Sequence, residues 1–237
     1  MTIKTILFLA FPNVGEQDLL APWELLRGLS YDLARDGEDQ LDITLGNFDG
    51  GVVTTHMGAQ LQLDRTLTAE DRFDLLYVPG GIGGGEAAQD ERVLDLIRAH
   101  HAEGRWVAAN CSGVGVVHRS GILEGLEFQA PAVLARRIRG EGGTVADPRR
   151  LWGVLPEEKI FTSGGAATVH PSTIALVAYL FGEQRARAMA ITWDSYAVHG
   201  EPLFSPSGPL ANDDPASREA LQDGMEKVFL PDVVGAA

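Results

Sequence analysis

The chain has 237 residues, 45% of them hydrophobic, which is enough for a sizeable core within one domain. Its formal net charge of −14 argues against nucleic acid and anionic membrane as partners, because binding phosphate groups requires a basic face. No apolar run approaches the ~18 residues of a membrane helix, and a single cysteine allows no internal disulfide and fits a reducing cytoplasm.

Strands and helices alternate along the first part of the chain. Continuous apolar runs, typical of strands buried on both faces, cover 4–11, 41–48, 73–81 and 105–111. The first run fits a strand better than a signal peptide, since no small-residue cleavage site follows it. Helical spacing covers 16–34 and 90–104, a further helix starts within 112–120, and 51–67 alternates like a hairpin or an excursion from the sheet.

The second part of the chain continues this pattern. It predicts a helix over 131–143, a hairpin over 151–165, one or two helices over 171–191, an irregular segment over 200–216 and a last helix over 217–228. We therefore predict a single-domain α/β three-layer sandwich, flavodoxin-like, with a mostly parallel sheet and helices on both faces. We expect residues 1–195 to form the α/β domain and 196–237 a C-terminal extension packed on it.

Three features that suggest chemistry follow predicted strands. Asp18 comes after the first strand, Gly80 and Gly81 after the third, and Cys111 ends the fourth. Ligands bind outside the carboxyl ends of the strands in such a sheet, so these residues are expected to meet at one edge. No Cys/His spacing resembles a zinc site, and we expect no metal there.

Cys111 is predicted to be displayed rather than simply buried. The small residues Ser112 and Gly113 after it indicate a sharp strand-to-helix turn that lifts the thiol above the sheet. The following helix would point its N-terminus at the sulfur and lower the pKa of the thiol. The Ser112 N–H would face an anion formed on the substrate. The alternative is a buried thiol that acts as a small hydrophobic side chain.

The stretch VPGGIGGGEAA carries five glycines within 80–86. It lacks the Lys-Ser/Thr pair of a phosphate-binding loop. We predict instead a loop that supplies a second backbone N–H, near Gly81, to an oxyanion hole. The alternative is a plain turn before the next helix, because glycine is a common turn residue.

Two acids could stand beside Cys111. Asp18 could cap its helix, the common use of Asp at such a position. It could instead hold a desolvated carboxyl group of raised pKa beside the cysteine, able to donate to a thiolate or to protonate a substrate. Glu16 lies two residues away, and spacing alone does not decide between the two acids.

Four stretches in a fixed order resemble the ThiJ/PfpI superfamily, whose sheet is related to that of class I glutamine amidotransferases. They are FPNVGEQDLLAPWELL, FDLLYVPGGIG, NCSGVGVVHRSGILEG, and KIFTSGGAA followed by ALVAYLFGEQRA, within residues 4 to about 190. The chain most resembles the isocyanide hydratase branch, which has an aspartate at the place of Asp18 and a Thr or Ser at the place of Ser112. The resemblance therefore favours Asp18 over Glu16.

The resemblance implies a cofactor-free enzyme that adds water to an isocyanide and gives an N-substituted formamide. Cys111 would attack the terminal carbon of this small-molecule substrate, and Asp18 would supply the proton and then orient water. It also implies a homodimer. The residues expected to line the substrate pocket are Gly80, Ile82, Gly165, Ala166 and His170.

Two positions depart from the branch pattern. Pro131 stands where a histidine is usual, and Pro171 stands where an acid usually opens the helix after TSGG. His170 lies in VHPS, which is similar to the His-Pro-Glu turn of amidotransferases, but Ser172 takes the place of the orienting acid. A Cys111–His170 dyad is therefore less favoured than a helix-start or pocket-wall histidine.

Two other functions would use the same cysteine. One is a hydrolase or aldehyde-processing enzyme, such as an amidase or a glyoxalase-like enzyme. No Cys-His dipeptide follows the turn, which argues against the protease-like and glyoxalase-like branches. The other is a non-enzymatic redox-sensing or ligand-binding protein.

Overall fold

A computed structural model describes residues 2–193 and 215–233 of the chain. Its strands are β1 (Thr5–Leu9), β2 (Asp42–Asn47), β3 (Val52–Thr54), β4 (Gln60–Gln62), β5 (Arg65–Thr66), β6 (Leu75–Val78), β7 (Trp106–Ala109), β8 (Glu127–Phe128), β9 (Thr144–Val145), β10 (Trp152–Leu155) and β11 (Ile160–Ser163). Its helices are α1 (Glu16–Arg35), α2 (Gly84–Ala87), α3 (Glu91–Ala102), α4 (Gly113–Arg119), α5 (Ala132–Gly140), α6 (Val169–Phe181), α7 (Glu183–Thr192) and α8 (Pro215–Phe229).

The described strands form a central sheet of seven in the order β10-β11-β7-β6-β1-β2-β5. All neighbours in it pair in parallel except β10 and β11. The strands at its centre are buried along nearly their whole length, as their continuous apolar runs predict. The predicted α/β fold with a mostly parallel sheet is confirmed.

The predicted strands are longer than the observed ones because pairing stops before the apolar runs end. The run over 105–111 forms a strand only to Ala109, so placing Cys111 at the end of that strand was wrong by two residues. The region 51–67 contains the antiparallel hairpin β3–β4, as predicted, and then β5, which joins the central sheet beside β2.

Some short elements were not predicted. The helix α2 interrupts the glycine stretch, and β8 pairs with β9 in a separate two-stranded sheet. Each has only two to four residues, too few for a periodic pattern to show.

The last described helix packs on α5. Arg136 of α5 forms ion pairs with Asp223 at 2.7 Å and Glu226 at 3.0 Å, and the Gln222 amide donates to the Ala132 carbonyl. This helix begins two residues before the predicted start, and residues 200–214 of the predicted irregular segment lie outside the described residues. The division into 1–195 and 196–237 stays a prediction.

Among the helices of residues 2–193 and 215–233, none combines the length and the apolar character needed to cross a membrane.

Gly113 opens α4 where this helix touches the loop after β6. A Cβ atom added to Gly113 would lie 2.2 Å from the Val78 carbonyl oxygen and 2.5 Å from that of Pro79. Backbone atoms cannot move aside as the end of a flexible side chain can. The close approach of helix and strand therefore requires glycine at this position.

We expect Gly113→Ala to lower the free energy of unfolding by about 1–3 kcal/mol, because the methyl group overpacks a backbone contact. Gly140→Ala is the matched control, since its Cβ would meet no atom within 4 Å. Alanine within a helix should leave stability unchanged or raise it by up to about 1 kcal/mol. Urea unfolding of both variants tests this, and equal stability of Gly113→Ala and wild type would contradict it.

Candidate active site

Asp18, Gly80 and Cys111 meet beyond the carboxyl ends of the central strands. A Cβ atom added to Gly80 would lie 2.4 Å from Cys111 Cβ, 2.8 Å from Asp18 Oδ2 and 2.8 Å from the Ser112 nitrogen. The three strand-end features are thus in contact, at the edge where ligands bind in parallel sheets. Glycine at position 80 leaves the space that the Asp18 carboxyl group and the Cys111 Cβ atom occupy.

The backbone of Cys111 is held in an unusual conformation. Its φ angle is +48°, a left-handed value that is costly for a residue with a Cβ atom. Its N–H donates to the Gly164 carbonyl at 2.8 Å, which ties the turn to the loop after β11. Strain of this kind persists where the surroundings fix it, often at functional sites.

Two backbone N–H groups, those of Gly81 and Ser112, donate to the Cys111 sulfur. The Ser112 hydroxyl donates to the Gly81 carbonyl at 2.5 Å and so joins the two donor segments. Gly81 has a φ of +123°, a value that only glycine adopts without strain. The sequence predicts these two N–H groups as donors to a substrate anion, and the structure places both at the sulfur that would carry it.

The side chain of Asp18 forms a hydrogen bond with the thiol of Cys111. Asp18 is in the first turn of α1 and caps nothing, because Gly15 is the N-cap residue and no side chain caps that helix. The other oxygen, Oδ1, is buried and has no hydrogen-bond partner among the described residues. The carboxyl group is therefore poorly solvated, as the sequence predicts.

Burial raises the pKa of Asp18 to about 6, although the hydrogen bond from Cys111 opposes the shift. Burial and the Asp18 carboxylate also raise the pKa of the Cys111 thiol, and the two N–H donors do not outweigh them. The predicted lowering of the thiol pKa is therefore wrong. At neutral pH the Asp18 carboxyl group is therefore ionised beside a thiol that keeps its proton, and Asp18 can accept that proton.

Glu16 is engaged elsewhere. Its carboxylate accepts hydrogen bonds from the Thr55 hydroxyl and, at 2.7 Å, from the Met57 N–H, both in the β3–β4 hairpin. Burial alone would raise the pKa of Glu16, but these hydrogen bonds hold it below its usual value. Of the two candidate acids, the structure places Asp18 at the thiol and Glu16 on the hairpin.

The residues expected in the pocket wall lie in the loop after β6 and in the segment from β11 to the first turn of α6. Ile82 is half-buried beside Gly81. Gly165 and Ala166 are half-buried and directly follow Gly164, which binds the Cys111 N–H. His170 is exposed in the first turn of α6, and no described hydrogen bond joins it to Cys111.

The two prolines that depart from the branch pattern both lie at helix starts. Pro131 is the N-cap residue of α5, and Pro171 lies in the first turn of α6. Proline is tolerated in a first turn because the N–H that it lacks has no partner within the helix there. Within the described ranges, no group of three or more His, Cys, Asp or Glu side chains could hold a metal ion.

Asn110 is a site residue that the sequence analysis missed. Its side chain is 0% exposed. Its amide accepts a hydrogen bond from the Gly80 N–H at 2.9 Å and donates to the Asp18 carbonyl at 2.8 Å and the Tyr77 hydroxyl at 3.1 Å. The available signal was an amide at the end of an apolar strand, since a buried polar group needs partners.

We expect the thiol of wild-type protein to titrate above the ordinary value of about 8.5. Asp18→Asn should move the titration to lower pH, because it removes the negative charge beside the sulfur. Cys111 is the one cysteine of the chain, so the ultraviolet absorbance of its thiolate reports this site alone. Glu16→Gln should titrate like wild type. A wild-type thiolate already formed below neutral pH would contradict the assignment.

Burial of the Asp18 carboxyl group should also lower the free energy of unfolding. The pKa of this group is about 6 in the folded state and 3.8 in the unfolded state, so the folded state loses stability as the pH rises from 3.8 to about 6. Since one pKa unit corresponds to about 1.4 kcal/mol, Asp18→Asn should be more stable than wild type by up to about 3 kcal/mol above the window and similar below it. Urea unfolding at both pH values measures the difference, and a pH-independent difference would disprove the linkage.

Comparison with known proteins identifies the family of this chain. The model of the DJ-1/PfpI family matches residues 4–177. Isonitrile hydratase from Pseudomonas putida is 28% identical over 94% of this chain and 89% of that protein. Deglycase PfpI from Pyrococcus furiosus is 27% identical over 51% of this chain and 68% of that protein.

Solved structures share the fold. A ThiJ/PfpI family protein from Pseudomonas syringae has a TM-score of 0.72 at 19% identity, over 97% of this chain and 88% of that one. DJ-1beta from Drosophila melanogaster has a TM-score of 0.67 at 19% identity, over 83% of this chain and 100% of that one. The family match covers well over half of the sequence. The chain belongs to the DJ-1/PfpI family.

Proposed function

We propose that this protein is a cysteine-dependent hydratase that converts an isonitrile, also called an isocyanide, and water into an N-substituted formamide. The observation that carries the proposal is the buried Asp18 carboxyl group in hydrogen-bond contact with the Cys111 thiol. This pair supplies both a nucleophile and an acid–base group. The similarity to isonitrile hydratase, at 28% identity, supports this choice of substrate class.

In the first step the Cys111 sulfur bonds to the terminal carbon of the isonitrile. Asp18 takes the thiol proton as the bond forms and delivers it to that carbon, which gives a thioimidate, S–CH=N–R. Atoms balance, because the whole isonitrile and the thiol proton are retained. The Gly81 and Ser112 N–H groups, which donate to the sulfur, stabilise it while it carries negative charge.

In the second step water adds to the thioimidate carbon. Asp18 accepts a proton from the attacking water and passes it to the imine nitrogen, which gives the tetrahedral intermediate S–CH(OH)–NH–R. The C–S bond then breaks while Asp18 carries the hydroxyl proton to the leaving sulfur, which releases R–NH–CHO and restores the thiol. Nucleophile and proton carrier are both side chains of this chain, so the scheme needs no cofactor.

A second candidate is attack of the same thiol on a carbonyl group. Two backbone N–H donors at a cysteine are the usual arrangement for stabilising an oxyanion, and a deglycase is among the relatives. A substrate such as methylglyoxal would then give a hemithioacetal on Cys111. This candidate requires the same residues and differs in the product.

Incubation with aryl and alkyl isonitriles should yield the corresponding formamides. The rate should rise with pH through an apparent pKa of about 6, because Asp18 must be ionised to take the thiol proton. Cys111→Ser should abolish turnover, and Asp18→Asn should lower kcat by about 10²–10⁴-fold and remove this pH limb.

The matched control is Glu16→Gln, an acid-to-amide change in the same helical turn but away from the sulfur; it should retain activity. Lactate formed from methylglyoxal, with no formamide from any isonitrile, would replace the first function by the second. Equal rates for Asp18→Asn and wild type would remove Asp18 from either mechanism.

A further inference from the structure

Asn110 connects all the segments that form the site. It directly precedes Cys111, its Oδ1 accepts the Gly80 N–H, and its Nδ2 donates to the Asp18 carbonyl. These partners are 30 and 92 residues away in the chain. One side chain therefore joins the nucleophile turn, the glycine loop and the start of α1.

The orientation of this amide is fixed by its partners. An N–H donor faces Oδ1, whereas the carbonyl oxygen of Asp18 faces Nδ2, so the reversed orientation would set donor against donor. The second hydrogen of Nδ2 meets the Tyr77 hydroxyl at 3.1 Å. Because three hydrogen bonds hold the amide, the Asn110 side chain is a rigid link between these segments.

The Asp18 carbonyl is available to Asn110 for a reason visible in the sequence. In an α-helix the carbonyl of residue 18 would accept from the N–H of residue 22. Residue 22 is Pro22, inside α1, and proline has no N–H. The missing helical bond leaves an orphan carbonyl at the residue that carries the acid, and the Asn110 amide fills its place.

We propose that Asn110 is the positioning residue of this site and that Pro22 acts with it, by leaving the Asp18 carbonyl free for the Asn110 amide. Asn110 holds the backbone of Asp18 and the Gly80–Gly81 loop against Cys111. It touches no reacting atom. The inference rests on the proposed use of Cys111 and Asp18, but it concerns the reactivity of the thiol toward any electrophile.

The test measures alkylation of Cys111 by iodoacetamide as a function of pH. Asn110→Leu, similar in size and apolar, should move the pH profile of alkylation by about one unit toward lower pH, the equivalent of about 1.4 kcal/mol. The Asp18 carboxylate would lose its fixed place beside the sulfur, so the shift should have the same direction as in Asp18→Asn. Asn110→Ser keeps a polar group, is too short to span the partners, and should show the same shift if the leucine variant does not fold.

The matched control is Asn47→Leu. Asn47 is also a buried asparagine at a strand end, and its Oδ1 accepts from the Asp49 and Gly50 N–H groups. Its loss should lower the free energy of unfolding without changing the alkylation rate or its pH profile. This control distinguishes a positioning role from a general loss of stability.

Pro22→Ala tests the link between the two residues. It supplies the absent N–H to the Asp18 carbonyl, so it should reverse part of the shift of the alkylation profile in Asn110→Leu and change wild type little. A wild-type rate and pH profile in folded Asn110 variants, or equal effects of Pro22→Ala in both backgrounds, would overturn the proposal. Normal alkylation results without formamide formation would refute only the proposed function.

Discussion

The contact between one thiol and one buried carboxyl group is the interaction on which the rest of the site depends. Water would separate and screen these groups on a surface, but inside the protein each changes the proton affinity of the other. The carboxyl group is costly to bury and would be replaced readily if stability alone mattered. Beside the single cysteine, however, this carboxyl group can exchange a proton with the thiol.

The backbone around the contact is built to bring it about. Gly80 leaves room for both groups, Gly81 adopts a positive φ, and Gly113 lets α4 approach the strand loop. Cys111 itself is held in a left-handed conformation by the bond from its N–H to Gly164. Local strain and close packing are thus concentrated at one edge of the sheet, where a ligand can reach the thiol.

The sequence was informative about elements and less so about their ends. Continuous apolar runs predict the parallel strands, but the position of Cys111 beyond β7 depends on where pairing with β6 and β11 stops. The motifs indicated Asp18, Gly80 and Cys111, which the structure brings into contact. The thiol pKa could not be inferred, because reasoning from the helix start alone omits the burial and the carboxylate that oppose it. The role of Asn110 could not be predicted because its hydrogen-bond partners are distant in the sequence.

The proposed reaction requires a covalent bond between Cys111 and the whole isonitrile. Intact-protein mass spectrometry of enzyme quenched during turnover detects such a bond. We expect an adduct heavier than the free protein by the full mass of the isonitrile, located at Cys111 and absent from Cys111→Ser. Release of formamide with no adduct, or an adduct at another residue, would contradict it.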